Sequence, residues 1–218
     1  MSSDPAFDAV TRARNQDNGG NPEGAVKTLE DYLAQDPHNV YVRMEMARIL
    51  VYSLSNREQG LFQLGIILDL DPDNIDALKA SATVKSVERG RVDEAEAEFT
   101  RLVELTEAKG DRAEIASVCA AYAVFLRKQK RDYEKAAEYY EKAVTAEPDR
   151  YEYHQDYAVL LLNEYRDYVR ARHELEEVLR IKPNHISARK NLEKLVATKF
   201  DSEGNVRLSF LEKRRLKR

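Results

Sequence analysis

Small and large apolar residues alternate with polar ones at helical spacing along this chain, and the arrangement returns about every 35 residues. The small residue early in the second helix of each predicted helix pair marks the period, with offsets of 35, 35, 41 and 35 between Ala25, Gly60, Ala95, Ala136 and Ala171. Small residues allow two helix backbones to approach closely, and large apolar residues fill the gaps beside them. The pattern therefore predicts a series of antiparallel helix pairs that stack on one another.

Breaks in the pattern set the bounds of these helices. Proline near the end of four of the five pairs stops a helix, while Glu107 stands at this position in the third pair. Side chains that accept hydrogen bonds from first-turn amides predict N-caps at Asn21, Asn39, Asn56, Asp111 and Asp149. The predicted helices cover residues 4–14, 22–34, 40–54, 57–70, 75–89, 92–108, 112–129, 132–146, 150–164, 167–181 and 186–198. The predicted repeats run near 4–38, 39–73, 74–109, 110–149 and 150–184, followed by a capping helix at 185–198 and a basic tail at 199–218. The 41-residue step contains six extra residues, which predict longer helices on both sides of the turn around 106–114. This insertion is either a tolerated lengthening of a loop or a ridge that contacts a partner.

The fifth repeat carries a family resemblance. It reads His154-x-x-Tyr157-Ala158-x-x-Leu161, then Ala171-x-x-x-Leu175 and Pro183, and this resembles the tetratricopeptide repeat. The third repeat fits least well, because Ser81 and Lys85 stand where apolar residues are expected. The resemblance covers residues 1–198 and implies an all-α, right-handed α-solenoid that binds a segment of another protein. Because the family binds many unrelated partners, it does not identify the partner.

In this family the first helices of successive repeats line a concave groove, so the resemblance also implies candidate contact residues. These are Tyr41, Met44, Arg48, Tyr52, Asp76, Lys79, Thr83, Arg127, Glu152, Gln155, Asp156, Lys190 and Lys194. Both signs of charge are present, and for each residue a solvated face is the alternative. Family members that grip chaperone C-terminal carboxylates use a Lys and an Asn one turn apart, whereas no Lys here has an Asn four residues later. Chaperone tails are therefore not the expected partners.

Charge is unevenly distributed along the chain. The tail at 199–218 carries seven basic and three acidic residues, which leaves the rest of the chain at −8 within the total of −4. An acidic body repels a phosphate backbone, so nucleic acid would bind only through the tail. The basic residues concerned are Arg207, Lys213, Arg214, Arg215, Lys217 and Arg218. An RNA- or ribosome-associated factor anchored by this tail is thus the second functional hypothesis.

Motifs of enzymes and metal sites are missing from the sequence. There is no Gly-rich phosphate loop, no His-Glu-x-x-His and no cysteine pair, and Glu174, Glu176 and Glu177 are interpreted as solvated charge. Cys119 occupies an apolar position of the repeat and is expected to be a small buried residue. We therefore expect a non-enzymatic protein without a cofactor. A single cysteine, no apolar run long enough for a membrane span and no secretion signal make the cytoplasm the expected location.

Overall fold

The structure is a computed structural model that describes residues 4–207, and its described part is built from α-helices. The helices are α1 (Pro5–Asn18), α2 (Pro22–Leu33), α3 (Val40–Tyr52), α4 (Arg57–Leu70), α5 (Ile75–Ser86), α6 (Val92–Lys109), α7 (Arg112–Phe125), α8 (Tyr133–Ala146), α9 (Tyr151–Leu160), α10 (Tyr168–Ile181) and α11 (Ile186–Lys199). Helices α7 and α9 continue as π-helical segments, Leu126–Lys130 and Leu161–Tyr165. When these π-helical segments are counted with α7 and α9, the predicted bounds are confirmed to within three residues, except that α1 extends four residues further, to Asn18.

Contacts divide the chain into two compact units, Met1–Ala108 and Lys109–Arg218. In the N-terminal unit α1 packs on α2 and α3, and α3 packs on α4. In the C-terminal unit the pairs are α7 with α8 and α9 with α10, and α11 packs on α10. These four helix pairs therefore form as the sequence period predicts.

Helix starts are fixed by side-chain caps, as expected for four of the five predicted positions. The side-chain oxygens of Asn21, Asn39, Asn56 and Asp111 accept hydrogen bonds from first-turn amides of α2, α3, α4 and α7. The prediction for Asp149 is wrong. Helix α9 begins at Tyr151, so the cap position falls on Arg150, and Asp149 lies one residue too early. Its carboxylate instead accepts a hydrogen bond from Arg180 at 3.1 Å.

One left-handed residue connects the two helices of every repeat. It lies five positions before the marker small residue, with positive φ at Gly20, Ser55, Gly90, Arg131 and Arg166. The residue after it caps the next helix at Asn21, Asn56, Asp132 and Asp167. Two of the five left-handed residues are glycine, which adopts this conformation without steric cost, whereas the two arginines and the serine adopt it under strain.

The small residues that mark the period are buried between helices. Gly60 shows why size matters, because a Cβ placed there would lie 2.4 Å from Cγ2 of Val51 on α3. The third repeat replaces apolar contacts with polar ones: the Ser81 hydroxyl and the Lys85 ammonium both donate to Oε1 of Glu98, at 3.0 and 2.7 Å. This network accounts for the two residues that depart from the family pattern.

The core of the C-terminal unit contains aromatic and titratable side chains. Tyr122, Tyr140 and Cys119 are fully buried, so the expectation for Cys119 is confirmed. The interpretation of Glu174 as solvated charge is wrong. Its side chain is buried, and Oε2 lies 2.6 Å from Nδ1 of His154 on α9. Glu174 faces α9 because it lies three positions after the small residue Ala171, on the inner face of α10.

A repeated hydrogen bond ties some first helices to the preceding turn. Nε2 of His154 lies 3.0 Å from the carbonyl oxygen of Pro148, six residues earlier. Arg43 donates to the carbonyl of Pro37 at 2.8 Å, and Arg189 donates to the carbonyl of Pro183 at 2.6 Å, with the same separation in sequence. Arg43 also donates to Gln63, which occupies in the second repeat the position that Glu174 has in the fifth. The same hydrogen bond to a proline carbonyl six residues earlier is thus made by histidine at one position and by arginine at two others.

Packing continues beyond the predicted end of the capping helix. Helix α11 ends at Lys199, and the next residue, Phe200, is buried, with the guanidinium of Arg172 over its ring at 5.4 Å. A single antiparallel bridge joins Phe200 to Val206 around a turn in which Gly204 has positive φ. Of the predicted basic tail residues, Arg207 is the last one described, and the others lie outside the described residues.

Candidate partner-binding site

A cavity of about 260 Å³ opens among α1, α3, α4 and α5 of the N-terminal unit. Its apolar floor includes Ala47, Leu64 and Val84, all of which are buried. We call this cavity the N-terminal groove, and it is lined by Arg14, Tyr41, Met44, Glu45, Ala47, Arg48, Val51, Tyr52, Leu64, Ala80 and Val84. The structure thus places the four candidate residues of α3 around one concave site.

The spacing of those four residues explains why they meet. Tyr41, Met44, Arg48 and Tyr52 follow one another at intervals of three and four residues, which keeps them on one face of α3. The opposite face carries buried residues that pack against α1 and α2. Gly60 matters here as well, because its missing side chain makes room for Val51 at the edge of the groove.

Two tyrosines leave large apolar surfaces open at this site. The side chains of Tyr41 and Tyr52 are 42% and 67% exposed. Tyrosine offers an apolar ring and a polar tip with few rotatable bonds, which makes it a frequent contact residue in protein interfaces. The groove therefore combines a buried aliphatic floor with accessible aromatic walls.

A charged network forms one edge of the groove. Glu45, on α3, is buried and accepts from Arg14 and Arg48 at 2.8 and 2.9 Å, while Arg48 also donates to Asp17 at 2.8 Å. Burial alone would raise the pKa of Glu45, but the hydrogen bonds from both arginines outweigh it and leave the pKa below its usual value. Hydrogen bonds from Arg48 and Ser53 likewise lower the pKa of Asp17. The two arginines are thus held in place by acids of the same unit.

The candidate residues of α5 lie beside the groove rather than in its lining. Asp76 and Thr83 are exposed, and the Thr83 hydroxyl donates to the Lys79 carbonyl of its own helix at 2.7 Å. Helix α5 instead contributes Ala80 and Val84, each one position after a predicted residue. The predicted residues Lys79 and Thr83 thus each precede a lining residue of the groove by one position.

In the C-terminal unit the candidate residues have mixed environments. Arg127 is only 15% exposed and lies 3.8 Å from Glu164, while Glu152 is exposed beside Arg150 at 3.6 Å. Gln155 and Asp156 are half-buried, and burial raises the pKa of the Asp156 carboxyl despite the positive charge of Arg127. On α11, Lys190 and Lys194 are exposed, and Lys194 lines a second cavity with Asn163.

Several lining residues of the N-terminal groove were missed at the level of sequence. Arg14 comes from α1, where the repeat pattern is weak, and Glu45 is a charged residue on a buried face. Val51, Leu64 and Val84 have the apolar character of core residues and carry no separate signal. For Glu45, a signal was available, since α3 carries an acid inside a buried stretch between Val42 and Leu50.

Comparison with known proteins identifies the repeat. Residues 128–195 match the sequence model of the tetratricopeptide repeat family. The resemblance to the tetratricopeptide repeat is confirmed. Among curated protein sequences, none matches the chain.

Solved structures of tetratricopeptide repeat type share the fold of this chain. MamA residues 41 to the end from Desulfovibrio magneticus RS-1 are 18% identical with a TM-score of 0.65, covering 85% of this chain and 99% of that one. Pseudomonas aeruginosa PilF is 18% identical with a TM-score of 0.67, covering 88% and 87%. A thermophilic tetratricopeptide repeat protein of Thermus thermophilus is 14% identical with a TM-score of 0.62, covering 88% and 99%. The predicted all-α, tetratricopeptide-like fold class is confirmed.

Two further features of the described residues bear on function. Between residues 4 and 207 no helix combines the length and the apolar character needed to cross a membrane. The same stretch contains no cluster of three or more His, Cys, Asp or Glu side chains arranged to hold a metal ion.

Proposed function

We propose that this chain is a protein-interaction module that holds a segment of a partner protein in the N-terminal groove. The observation that carries the proposal is the cavity between α1, α3, α4 and α5, with its aliphatic floor and two accessible tyrosines. The tetratricopeptide fold supports a scaffold or adaptor role, since helix-pair repeats present concave surfaces to other proteins.

The dimensions of the groove favour a side chain of a polypeptide over a free small molecule. Small-molecule sites typically enclose about 300–1,000 Å³ and bury most of their ligand. The N-terminal groove measures about 260 Å³, and α3 supplies seven of its eleven lining residues. It therefore suits one or two apolar side chains of a segment whose remaining residues stay outside, as in helix-in-groove recognition.

The chemistry of the walls defines the expected segment further. Tyr41 and Tyr52 provide ring surfaces for a large apolar anchor such as Leu, Met or Phe. Arg14 and Arg48 are already paired with Glu45 and Asp17, so they contribute no net charge to the site. The expected partner segment is apolar at its anchor and needs no particular charge there.

A photo-crosslinking experiment tests the groove directly. A benzophenone amino acid replaces Tyr52 in the full chain, and the crosslinked partner peptide is identified by mass spectrometry. The same amino acid at Phe62 on α4 is the matched control, since Phe62 is an apolar residue of the same unit that is 59% exposed and does not line the groove. We expect one partner segment with an apolar anchor to crosslink through position 52 and not through position 62.

Binding of that segment then provides the quantitative test. The double variant Tyr41→Ala/Tyr52→Ala should weaken its affinity about tenfold or more, because interface aromatics contribute about 2 kcal/mol or more when they anchor a partner. Phe62→Ala should leave the affinity within about twofold. Equal crosslinking at both positions, or an affinity that the tyrosine double variant does not change, would refute the proposal.

The second hypothesis, RNA or ribosome association through the basic tail, has less support. Arg207 is the only one of its six basic residues within the described part of the chain, and it is exposed. Truncation after Thr198 tests it, because salt-sensitive association that persists in the truncated chain cannot depend on the tail.

A further inference from the structure

A second cavity, of about 550 Å³, lies in the C-terminal unit between the π-helical end of α9, the start of α10 and the capping helix α11. We call it the C-terminal cavity. Its polar lining is made of Asn163, Arg166, Tyr168, Asn191, Lys194 and Lys199, together with Thr198. None of the described residues that line it is acidic. The cavity therefore concentrates three positive charges and two amide groups in one place.

Four polar side chains of this cavity are unused by the fold. Within residues 4–207, the side chains of Asn163, Arg166, Asn191 and Lys194 make no hydrogen bond or ion pair. On the neighbouring helix α10 the arginines behave differently, because Arg172 pairs with Glu176 at 2.7 Å and Arg180 pairs with Glu177 at 2.8 Å. Donors are thus left available in the cavity while the cations beside it are neutralised.

The backbone keeps these donors in position. Arg166 is the left-handed residue of the fifth repeat, with φ 57°, so its location is fixed by the turn that starts α10. Lys199 lies over the ring of Tyr168, with 4.8 Å between Nζ and the ring centroid. Asn191, Lys194 and Thr198 follow at intervals of three and four residues along one face of α11. The cavity is assembled from ordered elements and not from a loop.

We propose that the C-terminal cavity binds carboxylates of an acidic segment of a partner protein. Guanidinium, ammonium and amide groups are the donors that carboxylates use, and hydrogen bonds to ionised acceptors are the strong ones. This site is lined by other residues than the N-terminal groove and takes the opposite chemistry, a charged segment instead of an apolar anchor. The two proposals can therefore fail independently.

Charge along the sequence selects among possible occupants. Residues 200–218 of the basic tail carry six basic and three acidic side chains, so this segment shares the sign of the cavity and like charge disfavours it as the occupant. Residues 1–108 carry eleven basic and twenty acidic side chains. That excess of negative charge disfavours an extended polyanion such as nucleic acid, whereas a short acidic segment needs only the charges of the cavity itself, because exposed charges act over about 8 Å at physiological salt.

The test measures binding of a capped, fluorescein-labelled peptide of alternating Glu and Gly to the full chain by fluorescence anisotropy. The matching Gln-Gly peptide reports binding that does not need carboxylates. We expect saturable binding of the acidic peptide only. Arg166→Gln/Lys194→Gln should weaken it about tenfold, which corresponds to about 1.4 kcal/mol.

Two further variants separate a specific site from general attraction. Arg89→Gln/Lys128→Gln removes one arginine and one lysine charge at exposed positions that do not line the cavity, and it should change the affinity less than about threefold. Asn163→Ala/Asn191→Ala keeps the charge but removes two donors, and it should weaken binding by more than the control pair does. Circular dichroism of each variant checks that the helices remain folded, and Tyr52→Ala should bind the acidic peptide normally.

Four results would overturn the proposal. The first is equal weakening of acidic-peptide binding by the cavity pair and by the control pair, and the second is no effect of the asparagine pair on that binding. The third is tighter binding of a short single-stranded RNA than of the acidic peptide. The fourth is self-association of the chain that Arg166→Gln/Lys194→Gln abolishes. The third would make the cavity a nucleic-acid site, and the fourth would make it a contact between copies of this chain.

Discussion

The buried pair of His154 and Glu174 makes the C-terminal unit sensitive to pH. Both ring nitrogens of His154 face acceptors, since Nδ1 lies 2.6 Å from the Glu174 carboxylate and Nε2 lies 3.0 Å from the Pro148 carbonyl. Only the imidazolium can donate through both nitrogens. Burial alone would lower the pKa of His154, but the hydrogen bonds to Glu174 and to the Pro148 carbonyl outweigh it and raise the pKa.

Removing the imidazole measures what the pair contributes. His154→Ala deletes both hydrogen bonds and leaves the buried Glu174 carboxylate without its partner. Hydrogen bonds to charged groups contribute about 1.5–3 kcal/mol, and breaking a buried pair by removing one member costs about 3–5 kcal/mol. These ranges overlap, so we expect the free energy of unfolding of the C-terminal unit to fall by about 3 kcal/mol.

The sign of the pH effect follows from the direction of the shift. A histidine whose pKa is raised in the folded state binds its proton more tightly there than in the unfolded state. Its stabilising contribution is complete below the unfolded pKa, about 6.5, and is lost as the pH rises through the folded pKa. The wild-type chain should therefore lose stability between about pH 6.5 and the alkaline side of that folded pKa.

The second repeat supplies the matched control. There the same two positions hold Arg43 and Gln63, which form the same contacts without a group that titrates near neutral pH. The variant His154→Arg/Glu174→Gln transfers this pair into the fifth repeat. Urea unfolding of the full chain, followed by circular dichroism and by hydrogen exchange of α9 amides, is compared from about pH 6 to 9, which brackets the ordinary histidine pKa. If the wild type and this variant show the same pH dependence, the assignment of the titrating group to His154 is refuted.

Two other predictions concern backbone packing. Gly60→Ala should lower the free energy of unfolding of the N-terminal unit by about 1 kcal/mol, because the clash with Val51 costs about 1–3 kcal/mol and the higher helix propensity of Ala offsets about 1 kcal/mol of it. In a Val51→Ala background, where the clash is removed, the same substitution should instead raise the free energy of unfolding measured in urea. Arg131→Gly should raise the free energy of unfolding by up to about 1 kcal/mol, because glycine adopts the left-handed conformation without strain, whereas Gly90→Ala should lower it by about 1 kcal/mol. Thermal unfolding measures both variants, and a less stable Arg131→Gly or a more stable Gly90→Ala would contradict this prediction.

Helix positions could be predicted from the sequence because the same helix–helix contact occurs in all five repeats and needs a small residue at the same position each time. The small residues at Ala25, Gly60, Ala95, Ala136 and Ala171 recur where backbones approach, so their spacing determines the register of every pair. Cap residues were predictable for the same reason, except at Asp149, where one residue of helix length decides which side chain meets the first amides.

The candidate site was predictable only where one helix determines it. Tyr41, Met44, Arg48 and Tyr52 share a face of α3, and counting along one helix suffices to group them. On α5 the facing residues, Ala80 and Val84, have the same apolar character as core residues, so composition does not distinguish them. Glu174 was misinterpreted because it stands in a Glu-rich run, although its position three after the small residue matches that of Gln63 and Glu98, which also bond inward.

The bond from a first helix to the preceding proline carbonyl is absent from two repeats within the described part of the chain. The position of Arg43 and His154 is taken by Leu78 in the third repeat and by Cys119 in the fourth, and neither side chain can donate as a cation does. In a repeat array, cooperativity depends on nearest-neighbour coupling, so the most weakly coupled neighbours set where the array comes apart. The first helices of the third and fourth repeats, α5 and α7, are therefore expected to open locally more readily than α3 and α9, which this hydrogen bond ties to the preceding turn.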